Sequence, residues 1–311
     1  MGAELKKVDA QRVETGLLGD GFSAGELSGV SRRGFLRGGV ALATTLQLQR
    51  AAFALGLGGE AEVCRLIPEQ EVGPFYIAGE KVRSDIREGK VGVPLLLRIM
   101  VLDSRTCKPL VGAAVDIWQC DAMGLYSGYT KEDGMGGPPP DGPGGPGGPP
   151  PGFDPEHGPG PGGPGGPGGP GGEPPQMPPS DKLTFLRGIQ MTGADGSVRF
   201  RTVFPGFYMG RTNHIHFKVR LGGDEAGKTY KAGHTSHVGQ VFFPEEISAE
   251  LMRQEPYSRH AIHRTTLAED GVFGGQNGRL SMAKLEALAQ GYRAELVASV
   301  DPTATPGPAR R

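Results

Sequence analysis

The chain has 311 residues, 33 of them basic and 34 acidic, for a formal net charge of −1. That balance leaves no electrostatic footprint for nucleic acid and no polybasic patch for a membrane surface. Past the N-terminal region no run of about 20 apolar residues occurs, so no membrane span is expected in the mature chain.

Residues 1–56 read as a targeting segment rather than as fold. Ser31-Arg32-Arg33-Gly34-Phe35-Leu36-Arg37 is a twin-arginine pattern. A weakly apolar, Ala-rich stretch from Gly38 to Leu48 follows it, and Ala52-Phe53-Ala54 suits a small-residue cleavage site. The expectation is export by the twin-arginine route to the periplasm or the outside. That route carries folded proteins, often with a metal or cofactor already loaded.

From about residue 60 the chain reads as short strands separated by turns. Pro94–Leu102 is an apolar strand and Ser104–Pro109 a turn. Ala113–Gln119 alternates, with Val115 and Ile117 on one face and Asp116 and Trp118 on the other. Gly196-Ser197 leads into a second alternating strand, Val198–Val203, and His214–Leu221 and Tyr292–Val300 alternate as well. Glu245 and Glu246 favour a helix N-terminus within Pro244–Gln254, and a second short helix is expected over Ser281–Ala289. Such spacing predicts an all-β protein, an antiparallel β-sandwich with long loops and one or two short helices, spanning residues 57–302. Residues 303–311 read as a flexible tail.

Gly (54) and Pro (28) are over-represented, and much of the excess lies at about residues 135–179. The Gly-Pro-Gly run there is short, interrupted and embedded between strands, which argues against a collagen triple helix. It reads as a solvated insertion within one domain, because it buries too little apolar surface to offset its ordering entropy.

The three cysteines are Cys64, Cys107 and Cys120, with no CxxC pair among them, so a zinc ribbon or thioredoxin-type motif is not indicated. With Cys107 in the turn before a strand and Cys120 at that strand's far end, the two stand more than about 20 Å apart, too far to bridge. A Cys64–Cys120 link is the easier one to place.

Asn213-His214-Ile215-His216-Phe217-Lys218-Val219 carries the most chemistry. On a strand His214 and His216 project to one face, while Ile215, Phe217 and Val219 fill the other. Two such imidazoles can reach one metal ion; taken alone, the pair more often marks two surface histidines on a half-exposed strand. Just upstream, a Pro205-Gly206 turn throws Tyr208 and Arg211 onto the loop entering this strand. Phenolate is a hard anionic donor suited to Fe(III). Tyr126 is a second candidate phenol, with Tyr129 its rival nearby. His234, His237, His260 and His263 are further candidates for metal or proton transfer, and His237 lies near Gln240. Tyr76 and Tyr257 read as core or rim aromatics, and Asp116 as a hydrogen-bonded structural carboxylate.

These stretches together resemble the intradiol ring-cleavage dioxygenases, which include the catechol, hydroxyquinol and protocatechuate enzymes. The resemblance covers about residues 68–275 and the last strand, without the Gly/Pro insertion. It is carried by Pro68-Glu69-Gln70 with Gly73-Pro74-Phe75-Tyr76, Gly112-Ala113 through Tyr126, Leu186-Arg187-Gly188, Pro205-Gly206 through His216, and Gln240 with Phe243-Pro244. The short interval from Tyr208 to His214 is similar to the compact, exported branch of that family. Gly193 departs from the pattern, standing where the family often has an aspartate in a turn. The resemblance implies Fe(III) held by Tyr126, Tyr208, His214 and His216, with Trp118, Arg211 and Gln240 around a substrate pocket. It also implies a catalytic part for Arg211, Gln240 and Tyr208, a small aromatic diol and O₂ as substrates, ring opening to a muconate-type diacid, and homo-oligomers, which the family commonly forms. Two other classes fit single features. A non-catalytic exported β-sandwich binding module would hold no metal. An extradiol or cupin-type Fe(II) enzyme would need a carboxylate spaced to the two histidines, and none has that spacing.

Overall fold

The computed structural model describes residues 64–131, residue 80 apart, and 178–307, with the backbone of two short paired strands, β3 (Phe153–Asp154) and β4 (Gly158–Pro159). The twin-arginine segment and most of the Gly/Pro insertion lie outside the described residues.

Two four-stranded sheets form the domain. The first runs β6 (Ser197–Val203), β1 (Pro94–Asp103), β10 (Tyr292–Val300), β9 (Lys284–Ala287). The second runs β5 (Arg187–Met191), β2 (Ala114–Trp118), β7 (His214–Ala226), β8 (Thr229–Phe242). Helix α1 (Glu245–Leu251) follows β8 with Glu245 and Glu246 in its first turn, and a short α2 (Gly271–Gly275) follows later. The all-β sandwich expected from the alternating strands is the observed fold.

Alternation explains how the sheets stack. Leu95, Leu97 and Ile99 of β1 turn inward while Leu96 stays exposed. They meet Val115 and Ile117 of β2 and Ile215, Phe217 and Val219 of β7 in one continuous core. Burying such side chains stabilises the fold by about 1.5–3 kcal/mol each. β2 departs from simple in–out alternation, since all five of its residues are buried. Its second face, carrying Asp116 and Trp118, is covered by a separate cluster that includes Val72, Phe75, Tyr126, Tyr129, Tyr208 and Val238. The sandwich core therefore lies under one face of the second sheet, and the candidate site lies on the other.

Two sequence expectations are corrected. The segment read as a helix over Ser281–Ala289 instead forms the end of a 3₁₀ turn (Gly278–Ser281) and strand β9, which pairs antiparallel with β10 from Ala287↔Tyr292 to Lys284↔Glu295. The disulfide joins Cys64 to Cys107, with Cα atoms 5.4 Å apart, and Cys120 is a buried free thiol. The cause is the pairing of β1 with β10, the one parallel pair of the two main sheets, in which Asp103 stands beside Val300. The turn holding Cys107 thus meets the end of β10, where Ser299 Oγ donates to the Cys64 carbonyl at 3.0 Å. The exclusion of a Cys107–Cys120 bridge holds. Among the described residues no helix is long and apolar enough to cross a membrane.

Candidate metal centre

Three neighbouring strands set one row of the site. Trp118 of β2 pairs with His216 of β7, which pairs with Gln240 of β8, so all three side chains rise from the same face. The Trp118 indole lies flat on the His216 ring, with centroids 5.0 Å apart and planes at 4°. His214 stands two residues along on the same face, and the two imidazole Nε2 atoms are 3.0 Å apart. His214 Nδ1 donates to the Thr212 carbonyl at 2.7 Å, a bond that leaves its Nε2 as a bare lone pair.

Two loops deliver the tyrosines. Asp121 closes the first by accepting the N–H groups of Met123 and Leu125 on Oδ1, at 2.9 and 3.0 Å, while its Oδ2 takes Lys90 Nζ at 2.7 Å. Further along, buried Arg187 grips Ser127, with Nη2 2.7 Å from the carbonyl and Nε 2.9 Å from the hydroxyl. Tyr126 is thereby held between two anchored residues. The second loop, carrying Tyr208, docks on the first through the Gly206 N–H, 3.2 Å from the Asp121 carbonyl. A Cβ at Gly206 would lie 2.3 Å from that same oxygen, so only glycine permits this approach. Asn213 Nδ2 ties the loop to the histidine strand by donating to the Pro205 and Gly206 carbonyls, both at 3.0 Å.

The four expected ligands come together. Ring centroids are 5.6 Å apart for Tyr208–His214, 6.3 Å for Tyr126–His216 and 5.8 Å for Tyr126–Tyr208. The rival Tyr129 does not join them; its hydroxyl donates to the Tyr76 carbonyl at 3.4 Å and its ring packs on Phe75. His237 is buried but pairs with Val219 and packs on Phe217, on the core side of the sheet. His260 stacks on Phe207, His234 contacts the Ala304 carbonyl, and His263 pairs with Glu269 at the surface. Asp116 accepts the Tyr76 hydroxyl at 3.0 Å, which is the structural part expected of it.

Arg211 is the electrostatic hub. Its Nε donates to Asp270 Oδ2 at 3.0 Å and its Nη2 to Gln240 Oε1 at 2.5 Å. Its Nη1 faces Tyr208 Oη at 3.4 Å and Glu71 Oε1 at 3.5 Å. Gln240 Nε2 in turn donates to the Glu71 carbonyl at 2.9 Å. Burial would raise the Asp270 carboxyl, but Arg211 and its other partners outweigh this and hold it below the usual carboxylate range.

Several of these participants carried no assigned role in the sequence reading. Gly73 has φ +68°, and a Cβ there would sit 3.1 Å from His216 Cε1, so the chain passes directly over the imidazole. Phe75 stacks on Tyr126 at 4.6 Å and meets Tyr208 edge-on. Gly73 and Phe75 fall in a motif that the sequence displays, whereas Asp270 has no local signal.

The residues fit a bound cation. Burial, and then repulsion from Arg211 for His214 and from His214 for His216, lowers both imidazole pKa values, so both rings are neutral donors. Burial raises Tyr126 well above the ordinary phenol value, and Tyr208 to about 12 against the pull of Arg211. Buried Tyr126 Oη has no hydrogen-bond partner among the described residues, a cost of about 1–3 kcal/mol that a metal bond would remove. Among the described residues no group of three or more His, Cys, Asp and Glu side chains could hold a metal ion. Tyr208 and Tyr126 are side chains with oxygen donors that the geometry brings beside the histidine pair.

Fold and site together define a β-sandwich that carries a two-histidine, two-tyrosine centre on its outer sheet face, beside a buried arginine. No family model and no curated protein sequence matches the chain. Among solved structures it is similar to an intradiol ring-cleavage dioxygenase from Tetranychus urticae, at 30% identity over 78% of this chain and 98% of that one, with a TM-score of 0.59. A second dioxygenase structure matches at 31% identity over 78% of this chain and 97% of that one, also with a TM-score of 0.59. The chain belongs to the intradiol ring-cleavage dioxygenase family.

Proposed function

We propose that the protein is a non-haem Fe(III) dioxygenase that places both atoms of O₂ in a catechol-type aromatic. The ring is cleaved between its two hydroxyl-bearing carbons to give a muconate-type diacid. The observation that carries this reading is the convergence of Tyr126, Tyr208, His214 and His216, with the histidine Nε2 atoms 3.0 Å apart. Family membership supports it. Two hard phenolate oxygens beside two neutral imidazoles suit a ferric ion better than zinc or copper(I). When bound there, that ion would supply Lewis acidity, which would make the ring of a vicinal diol susceptible to O₂.

The chain's own groups do the rest. Tyr208 Oη lies 3.4 Å from Arg211 Nη1. Burial keeps it a phenol in the metal-free chain, and in the phenolate form that a bound ferric ion would favour it is placed to accept a proton from the incoming diol. Arg211, oriented by Gln240 and Asp270, holds fixed positive charge where negative charge builds on the substrate. Trp118, flat on His216, forms a wall for the aromatic ring. The burial of Phe75, Trp118 and Tyr126 keeps bulk water from this side of the centre.

Export by the twin-arginine route is part of the same proposal, supported by the Cys64–Cys107 disulfide, since such bonds persist in oxidising compartments. The test of the activity is oxygen uptake by the iron-loaded protein across a panel of catechols, with isotopically labelled O₂ and product identification. A diacid carrying two labelled oxygens is expected. Ring opening beside the diol rather than within it, or no uptake with any catechol by iron-loaded protein, would contradict the proposal.

A further inference from the structure

Asp270 lies 59 residues along the chain from Arg211, and its side chain is fully buried. Oδ1 accepts the Phe273 N–H at 2.9 Å, capping α2. Oδ2 accepts Arg211 Nε at 3.0 Å and also the Thr212 N–H at 2.8 Å. A helix cap needs only the first of these bonds, and Ser, Thr or Asn would provide it. The remaining bonds converge on the site. Thr212, held at its N–H, offers its carbonyl to His214 Nδ1 at 2.7 Å, and Arg211 faces Tyr208 Oη. One carboxylate oxygen thus grips both the arginine beside one candidate ligand and the residue that selects the tautomer of another. A buried guanidinium also requires a buried counter-charge, which a neutral cap would not supply.

We infer that Asp270 is the positioning residue of this centre. It aims Arg211 at Tyr208 and Gln240, and through Thr212 it keeps His214 with Nε2 bare toward His216. This rests on the reading of Tyr208 and His214 as ligands given above. The two effects separate by chemistry. Asp270→Asn keeps one carbonyl oxygen for a peptide N–H but removes the charge facing Arg211. Asp270→Ala removes both, and Asp270→Glu keeps the charge while displacing it by one methylene.

The experiment uses the full chain, first metal-free and then iron-loaded. Imidazole nitrogen NMR of the metal-free protein should show His214 as the single Nδ1–H tautomer, and Asp270→Ala should lose that uniqueness. After iron loading, Asp270→Asn should shift the visible tyrosinate-to-iron band. Its kcat per bound iron should fall about 10–100-fold with a smaller change in KM, and Asp270→Glu should recover part of the loss. If Asp270→Ala does not fold, the Asn and Glu variants carry the comparison. Wild-type tautomer, band and kcat per iron within about twofold in the folded variants, with only the melting temperature lowered, would reduce Asp270 to a helix cap and overturn the inference. Wild-type protein that takes up no iron would instead sink the proposed function, while the tautomer result would still stand.

Discussion

The indole of Trp118 and the imidazole of His216 lie face to face, 5.0 Å between centroids and 4° between planes, on directly paired residues of β2 and β7. The stack fixes the orientation of a candidate ligand, and under the proposed function the same indole walls the substrate pocket. Trp118→Ala should cost about 3–5 kcal/mol of stability, as buried Trp truncations do, and lower iron retention with it. Trp118→Phe keeps a flat ring and should retain most of both. Chemical denaturation and iron content of the purified variants check this.

Tyr126 gives a prediction whose sign reverses with the metal. Its buried hydroxyl lacks a partner among the described residues, so Tyr126→Phe should stabilise the metal-free protein by about 1–3 kcal/mol. The same change removes a proposed ligand and should weaken iron binding. Denaturation midpoints of wild type and variant, with and without iron, should therefore rank in opposite orders.

Gly206 holds the two tyrosine loops together. A side chain there would press on the Asp121 carbonyl at 2.3 Å, and because backbone sits on both sides the loops must part. Gly206→Ala should destabilise the fold by about 1–3 kcal/mol and reduce iron binding by more than that loss of stability explains. A matched core variant of equal stability, such as Ile99→Val, provides the comparison.

The Cys64–Cys107 bridge spans 43 residues of chain, including β1. On the loop-entropy account its removal should cost about 4 kcal/mol. Cys64→Ser and wild type under reductant should show the same drop in denaturation midpoint. The segment leaving Cys64 reaches Gln70, whose Oε1 accepts the Gln240 N–H at 2.7 Å, so iron release should accelerate alongside.

Strands with one face in the core were readable from their alternation: β1, β2, β6, β7 and β10 all begin within a residue of where the pattern places them. β8 escaped because Thr229–Phe242 mixes glycine and histidine with apolar residues, its two faces serving an exposed hairpin at one end and the site at the other. β9 was misread because Met282, Ala283, Lys284, Leu285 and Glu286 are good helix formers, and pairing with β10 overrides that preference. The parallel β1–β10 pair leaves no local trace, and the disulfide assignment failed with it. In the site, the HxH spacing and the Pro-Gly turn led to His214, His216, Tyr208 and Arg211. Choosing Tyr126 over Tyr129 rested on the family resemblance, and the Arg187–Ser127 grip beside it becomes visible only in three dimensions.

The central claim is that two phenols and two imidazoles hold one ferric ion. Ferric titration of the metal-free full chain, followed by visible absorption, tests it most directly. Wild type should develop a tyrosinate-to-iron band that saturates at a single ion per chain, and Tyr126→Phe and Tyr208→Phe should each weaken and shift it. Tight iron binding without such a band, or a band that neither substitution alters, would contradict the account.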